Sequence, residues 1–202
     1  FVPVRFLKAG ASDVLRKPFI VEELVSRVNA SLDNLDNIRT IADQANHDYL
    51  TQIYNRRYLF NAGNILHSNA RRDHIKLTVA VLDIDFFKKI NDSWGHEAGD
   101  AALIAVANEL KRSLRSGDIV ARIGGEEFCI VAVNVESPLV LIEHIRSRVE
   151  SLSISGWGQP IRLTLSAGYT SSLGESFENM VRLADTALYQ AKAAGRNCSI
   201  AL

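Results

Sequence analysis

Arg122-Ile123-Gly124-Gly125-Glu126-Glu127-Phe128 runs straight into Cys129-Ile130-Val131-Ala132-Val133. Two glycines and two carboxylates stand before an apolar, β-branched run, and Ile119-Val120-Ala121 stands on the near side. That is the punctuation of a β-hairpin, since glycine supplies the positive φ a tight turn takes. By itself the acidic tip reads equally well as a solvated, inert turn. A second stretch changes the reading. Leu77-Thr78-Val79-Ala80-Val81-Leu82-Asp83-Ile84-Asp85 is a strand-like apolar run ending in two alternating acids. Alternation puts Asp83 and Asp85 on one face. A carboxylate at the end of a buried strand is costly unless it meets a cation or a donor. Asp83 and Glu126 are therefore expected to share one site. Oxygen ligands without a paired His or Cys suit Mg²⁺ or Mn²⁺ better than zinc. Mg²⁺ held by one or two carboxylates usually carries a nucleotide phosphate as well.

The chain has 202 residues, room for one ordinary domain plus something smaller. A hydrophobic share of 47% supplies a real core. The net charge is zero, so no overall field points to nucleic acid or an anionic membrane. No apolar run approaches the ~20 residues of a membrane span. The two cysteines, Cys129 and Cys198, make no disulfide framework. Cys129 sits in an apolar strand pattern and reads as core. A reducing, cytoplasmic setting fits these features. The first residue is Phe rather than Met, so the chain is expected to be part of a longer protein.

Several stretches in the right order resemble the GGDEF-domain diguanylate cyclases, here in the Gly-Gly-Glu-Glu-Phe form. Arg122–Phe128 is similar to the family signature. Leu82-Asp83-Ile84-Asp85-Phe86-Phe87-Lys88-Lys89-Ile90-Asn91-Asp92 resembles its substrate strand and loop, and Trp94-Gly95-His96-Glu97-Ala98-Gly99-Asp100 the segment after it. Ala191-Lys192-Ala193-Ala194-Gly195-Arg196-Asn197 resembles its C-terminal helix. Asp48-Tyr49-Leu50-Thr51-Gln52-Ile53 resembles its opening, with Gln52 and Ile53 where the family often has Gly and Leu. The resemblance runs over residues 46–202.

The resemblance implies condensation of two GTP into cyclic di-GMP with release of two pyrophosphates, each domain of a homodimer holding one GTP. It assigns metal oxygens to Asp83, Glu126 and the Ile84 carbonyl, with Glu127 in reach, and a proton-acceptor role to Glu126. Lys88 would offset transition-state charge. Lys192 and Arg196, four apart on a helix, share a face and would reach the phosphates. Asn91 and Asp100 match guanine-reading positions; a carboxylate accepts from guanine N1–H and the 2-amino group, which adenine lacks. Phe86, Phe87 and His96 line the substrate. Gly124 and Gly125 let backbone N–H groups approach phosphate. Arg115-Ser116-Gly117-Asp118 matches an Arg-x-x-Asp product-inhibition site, with Arg146 as a further contact from a second domain. The alternative is a non-catalytic GGDEF module that binds GTP or cyclic di-GMP as a receptor. A P-loop phosphotransferase is disfavoured, because no Gly-Lys-Ser/Thr is present, and a DNA-binding output because no basic recognition helix is seen.

Upstream, Phe6–Phe19 resembles the end of a response-regulator receiver, with Lys17-Pro18 as the strand-ending pair and a candidate cis bond. Residues 1–30 are assigned to that remnant, 31–47 to a helical linker and 48–202 to the GGDEF domain. The remnant lacks its phosphoacceptor, and its apolar face should be poorly covered. Ile20, Leu24, Val28, Leu32, Leu35, Ile38 and Ala42 recur at helical spacing, which predicts a long helix over 20–47, packed on its copy or on its own domain. Asp48 or Thr51 is expected to cap the next helix, which runs toward Leu66, and 69–76 to form a charged loop. Ala101–Leu114, 139–151 and Phe177–Ala194 read as helices; Leu77–Asp83, Ile119–Ile123, Phe128–Val133, Arg162–Thr170 and Ser199–Leu202 as strands. The fold class is α/β (α+β): a central mixed or antiparallel sheet flanked by helices, nucleotidyl-cyclase-like with a ferredoxin-like core.

Overall fold

The computed structural model describes residues 2–15 and 17–202, with the side chains of 2–4 and 36–43 left out. It divides into two compact units, Phe1–Ala45 and Asn46–Leu202.

In the first unit α1 (Val2–Lys8) is followed by irregular chain and then by the long helix α2 (Val21–Asn46). The Lys17-Pro18 bond is cis. The expected final receiver strand does not form among the described residues. A lone strand has no neighbour to complete its ladder. Arg27 reaches back to Asp13 at 2.8 Å and to Glu23 at 3.1 Å, so the chain before Pro18 is tied to α2. Ile20, Leu24, Val28, Leu32 and Leu35 are all exposed. The described apolar positions of the expected stripe are thus exposed. Its continuation at Ile38 and Ala42 lies outside the described side chains.

The second unit is a six-stranded sheet of β1 (Tyr54–Asn55), β2 (Leu77–Ile84), β3 (Ile119–Arg122), β4 (Glu127–Val133), β5 (Leu165–Thr170) and β6 (Ser199–Ala201), in the order β1-β3-β4-β2-β5-β6. The edge pairs β1–β3 and β5–β6 are parallel and the central pairs antiparallel, so the sheet is mixed. Its helices are α3 (Arg56–Asp73), α4 (Phe87–Trp94), α5 (His96–Ser113), α6 (Pro138–Glu150) and α7 (Phe177–Ala193).

Strand alternation sorts the core into two layers. Ala80, Leu82 and Ile84 of β2 join Leu103, Val106 and Leu110 of α5 and Ile142, Ile145 and Val149 of α6. Val79 and Val81 face the other way and join Leu59 of α3 and Phe177, Met180 and Leu188 of α7. β2 is buried at every position, as a central strand covered on both faces should be.

Three local expectations are corrected. Asn55, not Asp48 or Thr51, caps α3, accepting from the Tyr58 N–H. The helix runs on to Asp73, because buried His67 and Ala70 continue its apolar face through the stretch read as a loop. The hairpin glycines do not supply positive φ. Gly124 supplies room instead, since a Cβ there would collide with the Glu127 carboxylate.

Candidate active site

β2 delivers Asp83 one residue before its end. Register sets Asp83 opposite Glu127 of β4 and opposite Ser166 of β5. Asp83 lies on the same face as Val79 and Val81, the face that α7 covers. The carboxylate is buried and finds one cation: Lys192 Nζ of α7, 2.8 Å from Oδ2. Burial pushes its pKa up. Lys192 pulls it down, and the charges of Glu126 and Glu127 push it up further; the result is raised. Lys192 therefore does not fully offset the burial of this carboxylate beside Glu126 and Glu127. That donor set, all oxygen and in net negative excess, fits a hard divalent cation. Among the described residues no three His, Cys, Asp or Glu side chains already converge as a ligand cage.

The hairpin is locked to β2 from the other side. The Ile84 N–H donates to the Glu126 carbonyl at 3.3 Å, and the Ile123 N–H to the Glu127 carbonyl at 2.9 Å. Arg122 donates from Nε and Nη2 to the Gly125 carbonyl at 3.0 and 2.7 Å, and from Nη1 to Asp48 at 3.1 Å. Gly125 meets nothing within 4 Å of a would-be Cβ, so its backbone is open to approach.

Asp85 shares the face of Asp83 but does different work. It lies past the strand end, buried, and accepts from Thr164 Oγ1, Ser166 Oγ and the Asn197 N–H. The next residue, Phe86, is left-handed and half out in solvent. Lys89 Nζ stands 4.4 Å and Arg196 Cζ 4.5 Å from its ring centroid. Those are cation–π distances. Phe86 thus sits with two cations beside the acidic end of β2. Lys89 was not singled out by the sequence, because its partner is a ring rather than a carboxylate.

Of the remaining expected residues, Lys88, His96 and Asp100 are exposed, and Asn91 is half-buried. Asn91 lies over Gly99, where a Cβ would strike its carboxamide. That close approach brings α4 against α5 and sets Asn91 beside the residue preceding Asp100. Phe87 differs from its expected role: it packs against the α5/α6 core layer. The shared helix face for Lys192 and Arg196 is also corrected. α7 ends at Ala193, and Arg196 follows Gly195 in a left-handed turn. Both still reach the same end of the sheet.

Arg115 and Asp118 stand at the other end of β3, about 13 Å of strand from the hairpin. Asp118 Oδ2 accepts the Arg115 N–H at 3.1 Å and Oδ1 the Val133 N–H at 3.2 Å. The Arg115 side chain is exposed and borders a cavity shared with Tyr54, Lys111 and Ser116. Arg146 is not brought there. Its guanidinium is spent on Glu143, Glu150 and Asn197. Cys129 is core, its thiol pushed up to about 12 by burial.

A mixed six-stranded sheet flanked by helices, with Asp83 buried against Lys192 at the end of its central strand, defines a cyclase-like α+β fold. The chain belongs to the GGDEF family, since residues 45–198 match the profile described as "Diguanylate cyclase, GGDEF domain". Several curated relatives are named diguanylate cyclases, which are nucleotidyltransferase-type enzymes. The chain is 42% identical over 153 residues to diguanylate cyclase DgcP of Pseudomonas aeruginosa, covering 74% of this chain and 23% of that protein. It is 33% identical over 213 aligned positions to the response regulator PleD of Caulobacter vibrioides, covering 98% of this chain and 46% of PleD. The chain thus spans less than half of either relative. Among solved structures, the coiled coil and GGDEF domain of DgcB from Caulobacter crescentus, in complex with c-di-GMP, superposes with a TM-score of 0.82 at 28% identity. That match covers 90% of this chain and 99% of DgcB's. Among the described residues no helix is long and apolar enough to cross a membrane.

Proposed function

We propose that this chain is a diguanylate cyclase module that condenses two GTP into cyclic di-GMP. The observation that carries the reading is the buried Asp83 carboxylate, undercompensated by Lys192 and flanked by Glu126 and Glu127. In each of two steps the 3′-oxygen of one GTP bonds to the α-phosphorus of the other. The bond from that phosphorus to the leaving pyrophosphate oxygen breaks, and the hydroxyl proton passes to a base.

Asp83, Glu126, Glu127 and the Ile84 carbonyl would hold Mg²⁺ or Mn²⁺. When bound, that ion neutralises triphosphate charge and lowers the pKa of a coordinated hydroxyl. Lys192, Arg196 and Lys88 oppose the phosphate charge from the protein side. Glu126 takes the hydroxyl proton. Asp100 accepts from guanine N1–H and the 2-amino group, the Asn91 carboxamide both donates and accepts, and His96 and Phe86 shape the base and ribose side. The space around Gly125 leaves room for the phosphates. Arg115 and Asp118 form a product-inhibition site, which Arg146 does not join within one domain.

Each module holds one GTP, so two copies must meet for the ring to close. The exposed stripe of α2 is suited to pairing with a copy. Similarity to PleD along nearly the whole chain supports an upstream receiver in the full-length protein, whose phosphorylation would favour that pairing. The test is turnover of GTP with Mg²⁺, the product identified by mass, for wild type and Glu126→Gln. Loss of about 100-fold or more in the variant is expected of a general base; equal rates would remove Glu126 from the chemistry.

A further inference from the structure

We propose that Arg146 and Asn197 form a latch that positions Arg196, and through it sets the affinity of the site for a triphosphate. The second half of this rests on the cyclase reading; the first half does not. After α7, Gly195, Arg196 and Asn197 take φ of 117°, 68° and 46° in succession. The left-handed region is unfavourable for residues with a Cβ, and two such residues in a row need outside support.

Asn197 receives that support from two other parts of the chain. Its backbone N–H donates to Asp85 Oδ2 at 3.0 Å, just past the end of β2. Its Oδ1 accepts from Arg146 Nη1 at 2.6 Å, and its Nδ2 donates to Glu150 Oε1 at 2.9 Å, both on α6. Arg146 is itself held at 2.9 Å by Glu143 and 2.7 Å by Glu150. Every hydrogen-bonding group of the Asn197 side chain is thus matched to a charged partner, and such bonds are the strong, directional ones. The residue so fixed is the direct neighbour of Arg196, whose guanidinium then stacks on Phe86, just past the end of β2. Arg146 touches no phosphate site itself, and its role is positioning.

Two variants test the latch. Arg146→Gln removes the cation. Asn197→Gly removes the side chain yet keeps the left-handed backbone accessible. Calorimetric titrations with GTP and with GMP, in Mg²⁺, separate phosphate contacts from base contacts. Each variant should weaken GTP binding about 10-fold and change GMP binding less than about 2-fold, the scale of one charge-assisted contact. In an Arg196→Ala background neither variant should weaken GTP binding further. Crystal structures of both variants should show the Arg196 guanidinium displaced from the Phe86 ring. Equal losses for GTP and GMP, or additive losses on Arg196→Ala, would assign Arg146 a purely structural role. An unmoved Arg196 would overturn the latch. A wild-type protein that binds neither nucleotide would sink the cyclase reading, and the crystal structures would still decide the latch.

Discussion

Lys192 Nζ lies 2.8 Å from Asp83 Oδ2, and it is the cation that answers the most buried carboxylate of the candidate metal set. The pair holds the Lys192 ammonium against the end of β2. It also fixes a pH dependence. Burial, opposed by Lys192 and reinforced by Glu126 and Glu127, raises the Asp83 pKa above its ordinary value. The native state then holds the proton more tightly than the unfolded chain. Between the ordinary and the raised pKa the metal-free protein loses stability as pH rises. Asp83→Asn lacks that titration. Its melting temperature relative to wild type should climb as pH rises through that window and level off above it, and Mg²⁺ should rescue only wild type. A difference that is flat with pH, in thermal melts without metal, would remove the shift.

Asp48 and Arg122 behave with the opposite sign. Burial raises the Asp48 pKa, but the Thr51 hydroxyl and amide and the Arg122 guanidinium outweigh it, leaving the pKa lowered. This pair therefore stabilises the fold above the ordinary carboxylate pKa, and the contribution disappears as pH falls through the lowered one. Both side chains are little exposed, at 13% and 16%. Arg122→Ala should cost about 2 kcal/mol at neutral pH, the scale of hydrogen bonds to a charged group. It should also free the Gly125 carbonyl of the hairpin. Urea denaturation at neutral pH and in acid measures both, and a cost that persists undiminished in acid would contradict the account.

Gly168 sits where β5 meets α7 at closest approach. A Cβ there would stand 2.6 Å from the Ala187 carbonyl carbon and overlap neighbouring backbone of the helix. Backbone cannot swing aside as a side chain can. Gly168→Ala should cost about 3 kcal/mol or more by overpacking and should lower GTP affinity, because α7 carries Lys192. Denaturation midpoints near wild type would show that the helix shifts freely.

Arg115 and Asp118 should separate cleanly. Asp118 holds two backbone N–H groups, so Asp118→Ala should cost about 1–2 kcal/mol of stability. The exposed Arg115 side chain should cost under about 0.5 kcal/mol when truncated, while Arg115→Ala relieves product inhibition. Inhibition curves with added cyclic di-GMP decide this. Persistent inhibition in Arg115→Ala would place the inhibitory site elsewhere.

How far the sequence reaches differs between elements. The strands around Asp83 and Glu126 were legible because β2 and β4 carry unbroken apolar runs bounded by acids and glycines. The amphipathic stripe of α5 was equally plain. Gly99 and Gly168 carried no local signal, since their reason is a partner many residues or a whole layer away. Gln52 shows the converse. The family often places glycine there, and the residue is left-handed with φ 57°, so the departure has a physical cost of about 1 kcal/mol. Arg146 bonds to Glu143, Glu150 and Asn197 of its own chain, which the sequence does not show, because an arginine on a helix looks the same whether its acceptors lie on a partner or on its own chain. The end of α7 was overrun for a related reason: Arg196 follows Lys192 at helical spacing, but Gly195 ends the helix before it.

The most direct test of the central claim is GTP turnover with Mg²⁺ across a range of protein concentrations, the product identified by mass. Cyclic di-GMP formed at a rate that rises with the square of protein concentration is the predicted result. No cyclic di-GMP at any concentration, with the fold intact and cyclic di-GMP still bound, would contradict it and leave a receptor module.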